Sequence, residues 1–86
     1  MGRHPKILQR ILSGQADANI RFDELVQLLI RLGFSLRVRG DHHILFRTDM
    51  PEILNVQPKG SMAKPYQVKQ IRNLILKYHL GVADDE

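Results

Sequence analysis

Eighty-six residues carrying 13 Lys and Arg against 9 Asp and Glu give a formal charge of +4. A chain this short buries only about two-thirds of the surface that its unfolded form exposes, which allows one modest core. Without cysteine, a long apolar run or a signal-peptide layout, the composition argues against disulfide stapling, secretion and a membrane span, and predicts a single domain over 1–86 in a reducing cytoplasm.

In chain order, Ile7, Leu8, Ile11 and Leu12 recur at a spacing that places them on one helical face. A short N-terminal helix is predicted over 5–14, entered at Pro5 and stopped near Ser13-Gly14, where glycine accepts the left-handed C-terminal conformation. Gln15 to Asn19 reads as a linker. Phe22 to Leu32 carries a broader stripe of Phe22, Leu25, Val26, Leu28, Leu29 and Leu32. Asp23 and Glu24 stand in its first turn, where carboxylates complement the helix dipole. Gly33 ends this helix and the period changes to two, with Phe34, Leu36 and Val38 alternating against Ser35, Arg37 and Arg39.

Gly40-Asp41 followed by the extended run His42 to Arg47 predicts a two-residue hairpin with glycine first. The register follows from the turn: Arg39 opposite His42, Val38 opposite His43, Arg37 opposite Ile44, Leu36 opposite Leu45 and Ser35 opposite Phe46. One face then holds Phe34, Leu36, Val38, His43 and Leu45 and is the expected core side. The other holds Ser35, Arg37, Arg39, His42, Ile44 and Phe46. Beyond a polar turn at Thr48 to Pro51, Glu52 to Gln57 supplies a third strand through Ile53, Leu54 and Val56, and Lys59 to Lys64 reads as a loop. Pro65 opens a last helix whose stripe is Val68, Ile71, Leu74, Ile75 and Tyr78, ending near Gly81. Its polar side carries Lys69, Arg72 and Lys77 with Gln67, Gln70 and Asn73, and Lys59 and Lys64 lead into it. The acidic tail over 82–86 is expected to be disordered.

These elements predict an α+β fold: a three-stranded antiparallel sheet with helices on one face, with its core over 20–81 and an additional helix at the N-terminus. The αβββα order resembles that of double-stranded RNA-binding domains. Because Asp84, Asp85 and Glu86 sit at the C-terminus, the body is more basic than the total. That bias suits a polyanion, although it also serves solubility.

Two histidines stand out. Adjacent strand residues point to opposite faces, so His42 and His43 cannot readily share a metal or a proton. His43 falls on the inner face and reads as a packing residue. His42 shares its face with Arg37 and Arg39, where an imidazole can exchange protons while guanidinium groups hold a phosphate. RNA cleavage requires little more, because the 2′-hydroxyl already lies beside its phosphorus. On the residues alone, His42 reads more readily as an ordinary residue at a hairpin end than as a catalytic one. There is no cysteine nucleophile, no glycine-rich phosphate loop and no His and carboxylate cluster at metal-ligand spacing, so neither a metal nor a cofactor is expected.

Leu32-Gly33-Phe34, the Gly40-Asp41-His42-His43 turn with Leu45 beyond it, and Lys64-Pro65 opening the final helix occur in an order and spacing that resemble the HicA toxins of toxin–antitoxin pairs, formerly grouped as YcfA-like proteins. The resemblance spans Phe22 to Tyr78. It implies a double-stranded RNA-binding-like αβββα fold and metal-independent cleavage of messenger RNA by one histidine in a Gly-Ser-His turn, with a HicB antitoxin as partner. His42 matches that histidine, whereas Asp41 stands where the family carries serine and adds a negative charge beside the site. The expected RNA contacts are Arg37, Arg39, Lys64, Lys69 and Arg72. Three readings remain open on the residues: an endoribonuclease toxin, a catalytically silent RNA-binding module, and a protein-binding domain that uses Ile44 and Phe46.

Overall fold

The computed structural model describes residues 4–81; the acidic tail lies outside the described residues. Helix α1 spans His4–Ser13, α2 Phe22–Arg31 and α3 Pro65–Tyr78, and strands β1 (Ser35–Arg39), β2 (His42–Phe46) and β3 (Ile53–Val56) form an antiparallel sheet in the order β1-β2-β3. The fold is α+β, as the residue pattern predicts.

Gly33 makes the helix-to-strand switch after α2. Its φ of 98° lets Phe34 N–H reach back to Leu29 O (3.0 Å) and Gly33 N–H to Ile30 O (3.0 Å), closing the helix in a Schellman motif. At the hairpin tip Gly40 takes φ 63°, as a turn with glycine first requires. The predicted β1–β2 register is the observed one at all five pairs, from Ser35 opposite Phe46 to Arg39 opposite His42.

Helices α2 and α3 bury Leu25, Leu28, Leu29, Val68, Ile71 and Ile75 in one cluster with Leu45, Leu54 and Val56 from the inner face of β2 and β3. Ile7 and Ile11 of α1 belong to the same cluster, because α1 packs against α2 and α3. Each such side chain contributes roughly 1.5–3 kcal/mol when fully buried, so the first helix is part of the core. Arg72 of α3 reinforces this packing: its Nη1 donates to Ile11 O (3.1 Å) and to Asp17 Oδ1 (2.8 Å). Asp17 begins a short 3-10 turn, Asp17–Asn19, within the segment read as a linker.

Three other features differ from the sequence-based expectation. Leu36 and Val38 occupy the inner face through their pairing with Leu45 and His43, yet they remain 38% and 52% exposed. Strands β1 and β3 are both edges of the sheet, but the helices cover the inner positions of β2 and β3, where Leu45, Leu54 and Val56 are buried. Second, the expected loop over 59–64 forms a small hairpin, β4 (Pro58–Lys59) with β5 (Met62–Ala63). It is stitched to the entry of α2 by Phe22 N–H donating to Ser61 O (3.0 Å) and Ala63 N–H donating to Ile20 O (2.8 Å). Third, α3 stops at Tyr78 because His79 adopts the left-handed conformation, φ 54°, three residues before the end expected near Gly81. There Glu52 accepts hydrogen bonds from Tyr78 Oη (2.6 Å) and Lys77 Nζ (2.8 Å). The Lys77 ammonium and then the Tyr78 hydroxyl hold the Glu52 carboxyl below its usual range.

Candidate functional site

The sheet presents its second face away from the helices. On it, Arg39 lies opposite His42, Arg37 opposite Ile44 and then Asn55, and Ser35 opposite Phe46 and then Ile53, because directly paired residues share a face. Arg37, Arg39, His42 and Asn55 are exposed, Ile44 and Phe46 are half-buried, and Ile53 is 65% exposed. The face is therefore basic at the turn end and apolar at the other. Helix α1, which could have covered Ile44 and Phe46, packs among the helices instead.

His42 is held at both ring nitrogens. Nδ1 lies 3.1 Å from Asn55 Oδ1, diagonally across on β3, and Nε2 lies 2.9 Å from Gln57 Nε2 just beyond that strand. Gln57 in turn accepts from Lys64 Nζ through Oε1 (3.4 Å). Beneath them Gln67, only 4% exposed, accepts from Gln57 N–H through Oε1 (3.4 Å) and donates from Nε2 to Asn55 O (3.4 Å). It is the one buried polar side chain among the described residues, and it clamps the backbone of the segment that carries both partners of His42.

His43 points the other way. Its ring stands edge-on to Phe22, with centroids 4.8 Å apart and planes at 79°, which suits the positive edge and negative face of aromatic rings. The two histidines thus have separate environments, as strand alternation predicts. Of the expected cationic contacts, Arg37 and Arg39 share the His42 face and Lys64 reaches it through Gln57. Lys69 is exposed on α3. Arg72 is not brought to this group, since its guanidinium is committed to Ile11 and Asp17 with the side chain only 16% exposed. Among the described residues no group of three or more His, Cys, Asp or Glu side chains is placed to hold a metal, and no helix is long and apolar enough to cross a membrane.

Asn55, Gln57 and Gln67 escape a reading of the residues alone. Extending the hairpin register one strand further places Asn55 on the His42 face. Gln67, in contrast, looks like any polar residue of an amphipathic helix. Its burial leads to a stability prediction: Gln67→Ala strands Gln57 N–H and Asn55 C=O and should cost about 1–3 kcal/mol in denaturant unfolding. An unchanged midpoint would mean that water satisfies these groups equally well.

The sequence, too, has a counterpart among known families. A family model described as the HicA toxin of bacterial toxin-antitoxin matches residues 22–78. The chain belongs to the HicA toxin family. It is accordingly a toxin of a toxin–antitoxin system, and membership implies an antitoxin as its partner. No curated protein and no solved structure gives a significant match to the chain. The family region runs from the first residue of α2 to the last residue of α3, so α1 lies before it.

Proposed function

We propose that this toxin is a metal-independent endoribonuclease acting on messenger RNA in the cytoplasm, restrained by a HicB-like antitoxin. One observation carries the reading. An exposed imidazole, His42, shares a sheet face with Arg37 and Arg39 while Lys64 stands behind its hydrogen-bond partner Gln57.

His42 accepts the proton of a 2′-hydroxyl, the 2′-oxygen attacks the neighbouring phosphorus, and the bond from phosphorus to the 5′-oxygen breaks. The proton then returns from the imidazolium to the leaving oxygen. Arg37, Arg39 and Lys64 neutralise charge on the phosphoryl oxygens as it develops, and Lys69 offers a further contact along the strand of RNA. Arg72 is left out of this set because its guanidinium is already engaged. The half-exposed Ile44 and Phe46 and the exposed Ile53 border the same cations. An antitoxin that sets apolar and acidic side chains on this face would cover His42 and compete with RNA for its arginines.

The test is incubation of the purified chain with RNA in EDTA, together with binding over a salt series. Cleavage is expected to survive chelation, and log affinity should fall linearly with log salt. Salt-dependent binding without any cleavage would leave a catalytically silent RNA-binding module, and no binding would leave a protein-binding domain.

A further inference from the structure

We infer that Lys64, Gln57 and Asn55 act as a relay that sets the tautomer of His42, placing its proton on Nδ1 and leaving the lone pair on Nε2. The catalytic consequence rests on the cleavage reading above; the tautomer itself does not.

The ammonium of Lys64 is the one group in the relay with no choice of role. It has donors only, so Nζ can bond to Gln57 only through the carbonyl oxygen Oε1, 3.4 Å away. That orients the amide and turns its NH2 toward His42. Gln57 Nε2, 2.9 Å from His42 Nε2, is likewise a donor only, so the ring nitrogen facing it must accept. A neutral imidazole that accepts at Nε2 carries its proton on Nδ1. Nδ1–H then needs an acceptor, and Asn55 Oδ1 stands 3.1 Å from it. The opposite tautomer would set two donors against each other at Nε2 and would require Asn55 to turn its NH2 toward Nδ1. All three bonds therefore agree on one proton position, while the buried Gln67 fixes the backbone at residues 55 and 57.

The relay points the base toward Lys64. Nε2 has a single lone pair, so the Gln57 amide occupies the place that a 2′-hydroxyl takes when it hands over its proton, and substrate must displace that amide. Lys64 stands next to this exchange, where a phosphate can draw its ammonium away from Oε1 and loosen the amide at the moment RNA arrives. Asn55 is untouched by the exchange and keeps the proton on Nδ1 throughout. Asn55 and Gln57 are positioning residues, acting through His42.

The experiment is a long-range proton–nitrogen NMR spectrum of the full chain at a pH where imidazole is neutral, read beside RNA cleavage. The native chain should show His42 protonated at Nδ1 and bare at Nε2, the reverse of the form that predominates in a free histidine side chain. Gln57→Glu replaces a donor with an acceptor of nearly the same shape and should move a proton onto Nε2. With the lone pair gone, cleavage should fall by about 100-fold or more. Asn55→Leu, which removes the Nδ1 acceptor, should give a mixture of tautomers, and Asn55→Asp, which keeps an acceptor, should restore the Nδ1–H form. A native His42 protonated at Nε2, or a Gln57→Glu variant whose Nε2 stays bare, would overturn the relay. A native chain with the expected tautomer that cleaves no RNA would sink the cleavage reading alone and leave the relay standing.

Discussion

His42→Ala should lower RNA cleavage by roughly 10²–10⁴-fold, the range a positioned acid–base group supplies, while the thermal midpoint stays nearly where it was. The side chain is exposed, and its removal frees the Asn55 and Gln57 amides to bond with water instead. His43→Ala should do the reverse. It deletes the edge-on contact with Phe22, worth about 0.5–1.5 kcal/mol beyond area burial. In a chain of this size each kcal/mol shifts the midpoint by about 4–8 °C. Cleavage by the folded His43→Ala fraction should persist. Thermal melts and single-turnover cleavage on both variants decide the matter. If His43→Ala silenced a folded protein while His42→Ala kept cleaving, the site assignment would be wrong.

Arg72→Glu should be strongly destabilising. It removes a guanidinium that ties α3 to the end of α1 and to the 3-10 turn, and it sets a second carboxylate against Asp17. The pair is only 16% and 22% exposed, so water screens it incompletely. Breaking such a pair, and leaving Ile11 C=O with only the longer bond from Gly14 N–H (3.3 Å), should cost on the order of 3 kcal/mol. That is a large part of the roughly 5–15 kcal/mol typical of whole domains. Lys69→Glu, on the exposed side of the same helix, should leave the unfolding midpoint within about 0.5 kcal/mol while weakening RNA binding and flattening its salt dependence. Urea unfolding of the two single variants separates the roles. Equal stability would show that the Arg72 contacts carry no net energy. A Lys69→Glu variant that binds RNA as well as the parent would remove α3 from the RNA surface.

The chain wrote some of this architecture in local terms. A two-residue turn with glycine first, between runs of period two, leaves one register, so the pairing of Arg39 with His42 and the opposite orientations of His42 and His43 are legible in the residues alone. Gly33 after an eleven-residue apolar stripe marks the helix-to-strand switch for the same reason: its left-handed conformation is a local demand that few other residues meet. Leu32-Gly33-Phe34, the Gly40-Asp41-His42-His43 turn and Lys64-Pro65, taken together in their order and spacing, point to the toxin family.

Other features depend on contacts between distant segments, which periodicity does not encode. Lys69 and Arg72 are interchangeable on a helical wheel, and only the approach of α1 and Asp17 across 61 and 55 residues of chain commits one of them to the core wall. Leu36 and Val38 alternate as buried residues do, but the helical layer covers the inner positions of β2 and β3 and leaves those of β1 exposed. The β4–β5 hairpin is too short to show a period, and its partners are backbone groups at Ile20 and Phe22. The surroundings of His42 belong to this second group. Asn55 and Gln57 meet it from 13 and 15 residues away in sequence, Lys64 joins them through Gln57, and Gln67 supports them from inside a helix. Local sequence placed the imidazole on the basic face, but the position of its proton is set by hydrogen bonds that exist only once β3 and α3 have packed.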